Sequence, residues 1–170
     1  MDQSIFLMVF GFLAVISSVT ANTSKFGLCE AAREKALKSA VQGPSAWIPQ
    51  CDNQGAFLSL QHNRSGTPFC VEPHGQKIYQ PKAVSPSTPL HCDCPNRFYE
   101  ALTTKRALGT FVPSCERDGT YSTVQCRPGT LAKRTGTCFC VDVLTGVNIG
   151  EKPRGVDDSY CLRMRGSTRF

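Results

Sequence analysis

The chain has 170 residues, of which 41% are hydrophobic and ten are cysteine, and its formal net charge is +6. Beyond the first sixteen residues the apolar side chains lie in short runs, which argues against a single large hydrophobic core. The chain has no second long apolar run, so its remainder is predicted to contain no membrane span.

Residues 5 to 16 form an unbroken apolar run, IFLMVFGFLAVI, followed by SSVTAN, whose small residues suit cleavage after Ala21. A run of this length is too short to cross a bilayer and is typical of a signal-peptide core. We predict a signal peptide at residues 1–21 and a secreted, extracellular protein with no membrane association after cleavage. Because Asp2 is the only charged residue of that signal, the mature chain keeps 19 Lys plus Arg against 12 Asp plus Glu, a net charge of +7.

The ten cysteines form two sets with the same spacing, which predicts two modules in tandem. The first two cysteines of each set are 22 and then 21 residues apart, and the last two are again 22 and 21 apart. An even number of cysteines in a secreted chain predicts disulfides. The sets are Cys29, Cys51, Cys70 and Cys92, and then Cys94, Cys115, Cys126, Cys138, Cys140 and Cys161.

The segments CDNQGAFLSLQH and CERDGTYSTVQC are near twins, but only the second ends in cysteine. Further on, TPFCVE stands against TCFCVD, so His62 and Pro68 occupy the places of Cys126 and Cys138. Because the loss of one bridge partner alone would leave a reactive thiol, we infer that Cys126 pairs with Cys138. Spacing leaves three pairings open for the other four cysteines of the second module.

These motifs resemble the thyroglobulin type-1 domain, whose pattern comprises Cys-Asp-x-x-Gly-x-Phe/Tyr, Gln-Cys, Cys-Trp-Cys-Val and a late Cys. The second module carries CERDGTY, QC, CFCV and Cys161, and the first carries CDNQGAF, QH, PFCV and Cys92. Besides the lost bridge, the departures are Glu116 for the usual Asp, and Phe69 and Phe139 for the usual Trp. Phenylalanine keeps an aromatic side chain, so we expect these changes to be tolerated.

The resemblance covers nearly all of the mature chain and implies sequential disulfides. They are Cys29–Cys51, Cys70–Cys92, Cys94–Cys115, Cys126–Cys138 and Cys140–Cys161. We therefore place the first domain at 22–92, the second at 94–161 and a basic C-terminal tail at 162–170. Asp93 alone separates the two domains, so they are not expected to tumble freely as on a Gly/Ser linker.

The predicted fold class is small, disulfide-rich α+β, with a short N-terminal helix and small β-hairpins in each module. CEAAREKALKSA (29–40) is rich in Ala, Glu and Lys, and CPNRFYEALTTKRAL (94–108) has Pro95 at its start after a candidate cap at Asp93. In the second module, turns at ERDG and LTG predict two hairpins. A bridge that closes about 15 residues contributes roughly 3 kcal/mol, so the first module is expected to be less stable, with a freer loop at 62–68.

The residue types argue against catalysis. His62, His74 and His91 are the only histidines, and none recurs at an equivalent place in both modules. With every cysteine bridged, no Cys/His nucleophile pair remains. The HCDC segment at 91–94 is explained as two bridge halves beside a histidine rather than as a metal site. We predict no enzyme activity, no cofactor and no metal.

Members of the resembled family called thyropins insert three loops as a wedge into the active-site cleft of papain-like cysteine proteases of the cathepsin type. The resemblance therefore implies a secreted, monomeric inhibitor that binds reversibly and without a catalytic residue. The corresponding loops are 105–111, 127–137 and 143–147 in the second module, and 40–47, 62–68 and 72–77 in the first. The candidate contact residues are Leu108, Gly109, Thr110, Lys133, Arg134, Thr135, Leu144, Thr145 and Gly146, with Gly43, Pro44, Ser45, His74 and Gly75 in the first module.

One of these loops contains Asn63-Arg64-Ser65, an acceptor sequence for N-glycosylation. A glycan on Asn63 would direct a bulky, hydrated group at the target protease. We therefore expect the second module to carry most of the inhibition.

The alternative is a non-inhibitory extracellular binding module, because the same domain also occurs in matrix and growth-factor-binding proteins. The net positive charge keeps sulfated polysaccharide as a candidate partner. Its candidate contacts are Lys133, Arg134, Arg163, Arg165 and Arg169. Nucleic-acid binding is disfavoured by secretion and by the absence of aromatic residues interleaved with these charges.

Overall fold

The structure is a computed structural model, and the residues that it describes fall into six stretches. These are 27–39, 43, 46–82, 89–104, 110–129 and 136–167, without the side chains of 165–167. The predicted signal peptide lies outside the described residues. None of the described helices is long and apolar enough to cross a membrane.

Each module consists of a helix followed by a three-stranded antiparallel sheet, and a further helix closes the second module. The strands of each sheet are neighbours in chain order, β1-β2-β3 and β4-β5-β6. The elements are α1 (Leu28–Lys38), β1 (Leu60–His62), β2 (Pro68–Val71), β3 (Lys77–Tyr79), α2 (Asp93–Thr103), β4 (Val124–Arg127), β5 (Thr137–Val141), β6 (Asn148–Glu151) and α3 (Ser159–Ser167).

Helix α1 begins after Gly27 and is attached to the module at its first turn. The main-chain N–H groups of Gly27 and Cys29 donate to the carbonyl oxygen of Gly55 at 3.1 and 3.2 Å. Cys29 is the one buried residue of the helix and is bonded to Cys51. Alanine and lysine favour formation of the helix. A disulfide and two hydrogen bonds, and not an apolar stripe, attach it to the rest of the module.

Helix α2 departs from its prediction at both ends. Its N-cap is Cys92, so Asp93, the predicted cap, lies inside the first turn with Pro95. Proline is tolerated there because the first N–H groups of a helix have no intrahelical acceptor. The helix ends at Thr103 and Thr104 is extended, whereas the prediction continued to residue 108. Residues 105–108 of that prediction lie outside the described part of the chain.

The first of the two hairpins predicted in the second module is absent as a ladder. The segments around the ERDG turn pair over a short stretch only, through a bridge between Cys115 and Tyr121 and a bond from Ser122 N–H to the carbonyl oxygen of Ser114 at 2.9 Å. Beyond that stretch β4 pairs with β5 instead. The physical reason is the buried side chain of Gln125. Its Oε1 accepts the N–H of Ser114, and its Nε2 donates to the carbonyl oxygens of Ser114 and Ser122, each at 2.8 Å. One amide side chain thus satisfies backbone groups that a strand would otherwise pair.

The first module repeats this device with Gln61, which is fully buried. Its Oε1 accepts the N–H of Gln50 at 2.8 Å, and its Nε2 donates to the carbonyl oxygens of Gln50 and Leu58 at 2.8 and 2.6 Å. Because a buried amide without partners is costly, this position requires the full set of three bonds in each module.

The Asp-to-Glu departure in the second module is compensated two residues later. In the first module, Oδ1 of Asp52 accepts the N–H groups of Gln54 and Ala56 at 2.8 and 2.9 Å. In the second module, Oδ1 of Asp118 accepts the N–H and the hydroxyl of Thr120 at 3.0 and 2.7 Å. Each turn therefore retains a carboxylate acceptor, although it comes from a different position.

Five disulfides join all ten cysteines in the sequential order that the family resemblance implies. They are Cys29–Cys51, Cys70–Cys92, Cys94–Cys115, Cys126–Cys138 and Cys140–Cys161. Each module packs its apolar side chains around these sulfurs rather than around a large core. The small, disulfide-rich α+β fold class is confirmed.

Residues 162–167, the described part of the predicted basic tail at 162–170, are helical. Helix α3 spans Ser159–Ser167 and carries Cys161, which is fully buried in its bond to Cys140. Met164 lies against β6, because a Cβ on Gly150 would be 2.5 Å from its Cε atom. The disulfide and this contact hold the helix against the sheet of the second module.

The two modules contact one another directly at the junction. The Tyr79 hydroxyl donates to the carbonyl oxygen of Arg117 at 2.9 Å, and the Tyr99 hydroxyl donates to Oε1 of Gln76 at 3.1 Å. The N–H of His91 donates to the carbonyl oxygen of Asp118 at 2.8 Å. These bonds agree with the expectation that the short connection prevents free movement of the modules.

Candidate functional site

Half of the predicted contact residues lie within the part of the chain that the structure describes. In the second module these are Thr110, Leu144, Thr145 and Gly146, and in the first they are Gly43, His74 and Gly75. The others, Pro44, Ser45, Leu108, Gly109, Lys133, Arg134 and Thr135, lie outside the described residues. The described residues nevertheless include the bases of all three loops in the second module.

These three loop bases meet at one cluster of aromatic rings. The centroids of Phe111, at the end of the first loop, and Phe139 are 5.7 Å apart, and the guanidinium carbon of Arg127, at the start of the second loop, lies 5.0 Å from the Phe139 centroid. Tyr121 belongs to the same buried cluster. A Cβ on Gly146 of the third loop would lie 2.6 Å from its Cζ atom. The fold thus brings together the bases of loops that are distant in sequence.

A cleft of about 330 Å³ separates the first loop of the second module from the third. Thr110 lies on one side, Thr145 and Gly146 lie on the other, and Arg97 and Glu100 of α2 form part of the wall. The first and third predicted loops therefore lie at the same end of the module, as a wedge requires.

The third loop of the second module is a turn anchored by Asp142. Its Oδ1 accepts the N–H groups of Leu144 and Thr145 at 3.1 and 2.9 Å and the Thr145 hydroxyl at 2.9 Å. The main-chain N–H of Asp142 donates to the carbonyl oxygen of Val147 at 2.9 Å, and that of Gly146 donates to the carbonyl oxygen of Asp142 at 2.8 Å. With these bonds the turn has its conformation before any partner binds.

The first module builds the same aromatic base from different residues. Trp47, at the end of its first loop, meets Phe69 edge-on with centroids 5.2 Å apart and lies 6.2 Å from Phe57. The Lys77 ammonium lies 4.3 Å from the Phe69 centroid, and a Cβ on Gly75 would lie 2.5 Å from Cζ of Phe57. Phe57 thus corresponds to Tyr121, and Phe69 corresponds to Phe139.

The third loop of the first module is anchored by Glu72 in place of Asp142. Its Oε1 accepts the N–H groups of His74 and Gln76 at 2.9 Å each, and its Oε2 lies 2.8 Å from Nδ1 of His74. Burial by itself raises the pKa of the Glu72 carboxyl, but the hydrogen bonds from Gln76 and His74 outweigh burial and hold the pKa below its ordinary value. The ionised carboxylate is therefore the form that the turn requires.

The second loop of the first module is a closed turn centred on Asn63. Oδ1 of Asn63 accepts the N–H of Thr67 at 2.8 Å and the hydroxyl of Ser65 at 2.7 Å. The main-chain N–H of Asn63 donates to the carbonyl oxygen of Thr67 at 3.1 Å, and that of Arg64 donates to the carbonyl oxygen of Ala46 at 2.9 Å. Within the described residues the amide nitrogen of Asn63, the atom that a glycan would modify, makes no hydrogen bond.

This turn corrects the expectation that the missing bridge leaves residues 62–68 free. His62 and Pro68 face each other in the β1–β2 register, as Cys126 and Cys138 do in the β4–β5 register. The loop in the second module spans 12 positions between its cysteines. The loop in the first module is about half as long, and hydrogen bonds from one asparagine close it. The shorter loop needs no covalent closure because it has less conformational freedom to lose.

Sequence reasoning missed the side chains that hold these loops, chiefly Asp142, Glu72 and the paired Gln61 and Gln125. A usable signal for the first two is an acidic residue followed by a glycine three or four positions later, as in EPHG and DVLTG. The glutamines recur in both twin segments, but only the fold shows that they are buried.

The structure also places the segment that resembled a metal site. Cys92 is bonded to Cys70 in the first module, and Cys94 is bonded to Cys115 in the second. Among the residues that the structure describes, no group of three or more His, Cys, Asp or Glu side chains is arranged to hold a metal ion.

The chain belongs to the thyroglobulin type-1 repeat family, whose profile matches residues 29–92 and again residues 96–161. The chain is 29% identical to U20-hexatoxin-Hi1a of Hadronyche infensa over 152 residues, which is 88% of this chain and 95% of the toxin. It is 32% identical to equistatin of Actinia equina over 111 residues, 62% of this chain and 46% of equistatin. It is 39% identical to insulin-like growth factor-binding protein 3 of Rattus norvegicus over 57 residues, 34% and 19% of the two chains. The chain thus spans nearly all of the toxin but less than half of the other two relatives.

Proposed function

We propose that the protein is a secreted inhibitor of papain-like cysteine proteases that inserts its loops reversibly into the active-site cleft. Membership of the family supports an inhibitor or binding module rather than a catalytic one. The proposal rests chiefly on one observation, the convergence of all three loop bases of the second module on a single buried aromatic cluster.

A loop that is fixed at its base loses little conformational entropy when it docks, so more of the contact energy appears as affinity. In the second module the base of the long second loop is closed by Cys126–Cys138. The third loop is fixed by the bonds to Asp142. Since no nucleophile is required, inhibition is reversible and leaves no covalent adduct.

The second module is proposed to supply most of the inhibition. In the first module the second loop is short and carries the glycosylation sequence at Asn63. The free amide nitrogen of Asn63 allows modification without the loss of a hydrogen bond to any described residue. A short loop that carries a glycan would keep a protease cleft at a distance.

The first test measures inhibition constants of the full-length, disulfide-bonded protein against active-site-titrated cysteine, aspartic and serine proteases. We expect competitive inhibition of papain-like enzymes only, full recovery of activity on dilution, and no mass increase of the protease. A reduced and alkylated sample is expected to be inactive, because sulfur holds the loop bases. Equal residual activity across all classes, or inhibition that survives reduction, would contradict the proposal.

The contribution of each module is tested in the full-length chain, because α2 of the second module contacts β2 and β3 of the first. The double variant Thr110→Asn with Val112→Thr introduces a glycosylation sequence beside the cleft of the second module. Asn63→Gln removes the natural one. We expect the introduced glycan to abolish inhibition and Asn63→Gln to leave it within a few-fold. The opposite result would assign inhibition to the first module.

The second candidate function is that of an extracellular binding module, and the match to insulin-like growth factor-binding protein 3 favours it. The net positive charge of the predicted mature chain would add affinity for sulfated polysaccharide. A heparin column developed with increasing salt distinguishes the two functions. Elution near physiological ionic strength, together with protease inhibition, favours the inhibitor.

Secretion and processing are part of the proposal. We infer that residues 1–21 are removed and that Asn63 is glycosylated. N-terminal sequencing of the protein recovered from the medium of secreting cells is expected to begin at Asn22. Treatment with a peptide N-glycosidase is expected to lower the mass of the unaltered protein and to leave that of Asn63→Gln unchanged.

A further inference from the structure

Two large apolar side chains in the third turn of the second module are exposed to solvent. Leu144 is 53% exposed and Val147 is 60% exposed. Both belong to a turn whose backbone is already fixed by bonds to Asp142. Single exposed apolar residues are common on protein surfaces, but a pair on one fixed turn beside a proposed docking cleft is a preformed contact surface.

The other two predicted contacts of this turn have structural roles instead. The Thr145 hydroxyl donates to Asp142 and accepts the N–H of Val147 at 3.3 Å. Gly146 has a φ of +69° and lies against the ring of Tyr121, so any side chain there would collide with the core. The Thr145 hydroxyl is therefore used within the module and Gly146 presents no side chain, so Leu144 and Val147 are the residues of this turn that can contact a partner through exposed apolar side chains.

The equivalent turn of the first module has a different character. It has the same kind of carboxylate anchor, Glu72, and the same glycine packed on an aromatic ring. Its exposed residues, however, are Pro73, His74 and Gln76. One turn architecture thus carries an apolar tip in the second module and a largely polar tip in the first.

We propose that Leu144 and Val147 determine the specificity of the second module, and that they fit an apolar subsite at the rim of the protease cleft. This inference rests on the proposed inhibitory function and adds the chemistry of the surface that the inhibitor selects. Asp142 is a positioning residue, because it acts only through the turn. We expect weak inhibition of proteases that carry a charged group at the facing surface. Leucine and valine would bury that charge without a partner.

The test compares Leu144→Ser and Val147→Ser with Leu162→Ser in the full-length protein. Leu162 lies on α3 and is 56% exposed, so it controls for the loss of an exposed leucine. We expect the inhibition constant toward the best-inhibited protease to rise about 10- to 100-fold for Leu144→Ser, and by less for Val147→Ser. Leu162→Ser is expected to change it by less than threefold. All three variants are expected to unfold at the same temperature as the unaltered protein.

The outcomes separate this inference from the function on which it rests. If the unaltered protein inhibits but both turn variants inhibit equally well, the specificity assignment is wrong and the inhibitor stands. If the unaltered protein inhibits no papain-like protease, both are wrong. Asp142→Ala is expected to weaken inhibition, and Asp142→Asn, which keeps the Oδ1 acceptor, is expected to restore most of it. Equal loss in both Asp142 variants would refute the positioning role.

Discussion

The contact between the modules depends on a glycine that has no room for a side chain. Gly119 has a φ of +80°, and a Cβ at this position would lie 1.8 Å from the carbonyl oxygen of His91. Gly66 has almost the same φ, +78°, but a Cβ there would meet nothing within 4 Å. The substitutions Gly119→Ala and Gly66→Ala therefore impose the same local backbone strain, and only the first adds a collision.

The expected losses of stability follow from these distances. An alanine in the left-handed region costs about 1–2 kcal/mol, and this applies to both variants. In Gly119→Ala the contact must also open from 1.8 Å to beyond 3.0 Å, which would break the bond from His91 N–H to the carbonyl oxygen of Asp118. That bond contributes about 0.5–1.5 kcal/mol, and the displaced backbone adds strain. We expect a loss of about 1–2 kcal/mol for Gly66→Ala and of about 3 kcal/mol or more for Gly119→Ala.

Guanidinium unfolding of the non-reduced variants measures this difference as a shift in midpoint at constant slope. Trp47, the only tryptophan of the chain, reports on the first module by fluorescence, while circular dichroism reports on both. In Gly119→Ala we also expect the transitions followed by the two probes to separate, because one of the described bonds between the modules is lost and their contact is weakened. Equal losses of stability in the two variants would refute the collision argument.

Three further substitutions test the framework of the modules. Gln125→Leu removes the partners of the Ser114 N–H and the Ser122 carbonyl oxygen and is expected to lower the free energy of unfolding by about 2 kcal/mol, measured by guanidinium unfolding; a loss below about 0.5 kcal/mol would show that the amide bonds are dispensable. His62→Cys with Pro68→Cys is expected to form a sixth disulfide and to add about 2 kcal/mol, because these residues are register partners; titratable thiols in the folded protein would contradict this. Because the folded-state pKa of Glu72 is lowered, its ionised form stabilises the fold above the ordinary pKa of 4.5, and this contribution is lost as the pH falls through the lowered value. The midpoint advantage of the unaltered protein over Glu72→Gln is therefore expected at neutral pH and expected to shrink in acid, and a pH-independent difference would refute it.

The family and the fold class were predictable from sequence because their signals are local or periodic. The separations of 22 residues between cysteines in the first module recur as 21 residues in the second. The alanine- and lysine-rich segment after Cys29 favours a helix without any tertiary contact. The same local reasoning failed at the end of α2, where the predicted pattern continued beyond Thr103. Propensity predicts that a helix forms more reliably than it predicts where the helix ends.

The arrangement of the sheets could not be predicted in this way. The sequence on each side of the ERDG turn predicts a hairpin, but Gln125 bonds to the N–H of Ser114 and to the carbonyl oxygen of Ser122, which a longer ladder would pair with each other. That competition between a side chain and a strand depends on burial, which no local pattern reveals. The prediction that the loop at 62–68 is free was wrong for a related reason. The sequence shows that the disulfide is missing, but it does not show that hydrogen bonds to Asn63 close the turn.

The two modules of this chain carry different exposed side chains on a similar framework. The aromatic residues at the loop bases differ between the modules. Trp47 stands where the second module has Phe111, and Phe57 stands where it has Tyr121. In both modules the glycine of the third turn still packs on an aromatic ring. Both turns are held by a carboxylate that accepts main-chain N–H groups, although the side-chain bonds differ, with the Thr145 hydroxyl on Asp142 and Nδ1 of His74 beside Glu72. The side chain of Leu144 is exposed and takes no part in the bonds to Asp142, so it can change at little cost to folding. If the proposed inhibition is correct, we expect the target of each module to depend on such exposed residues, which the core does not constrain.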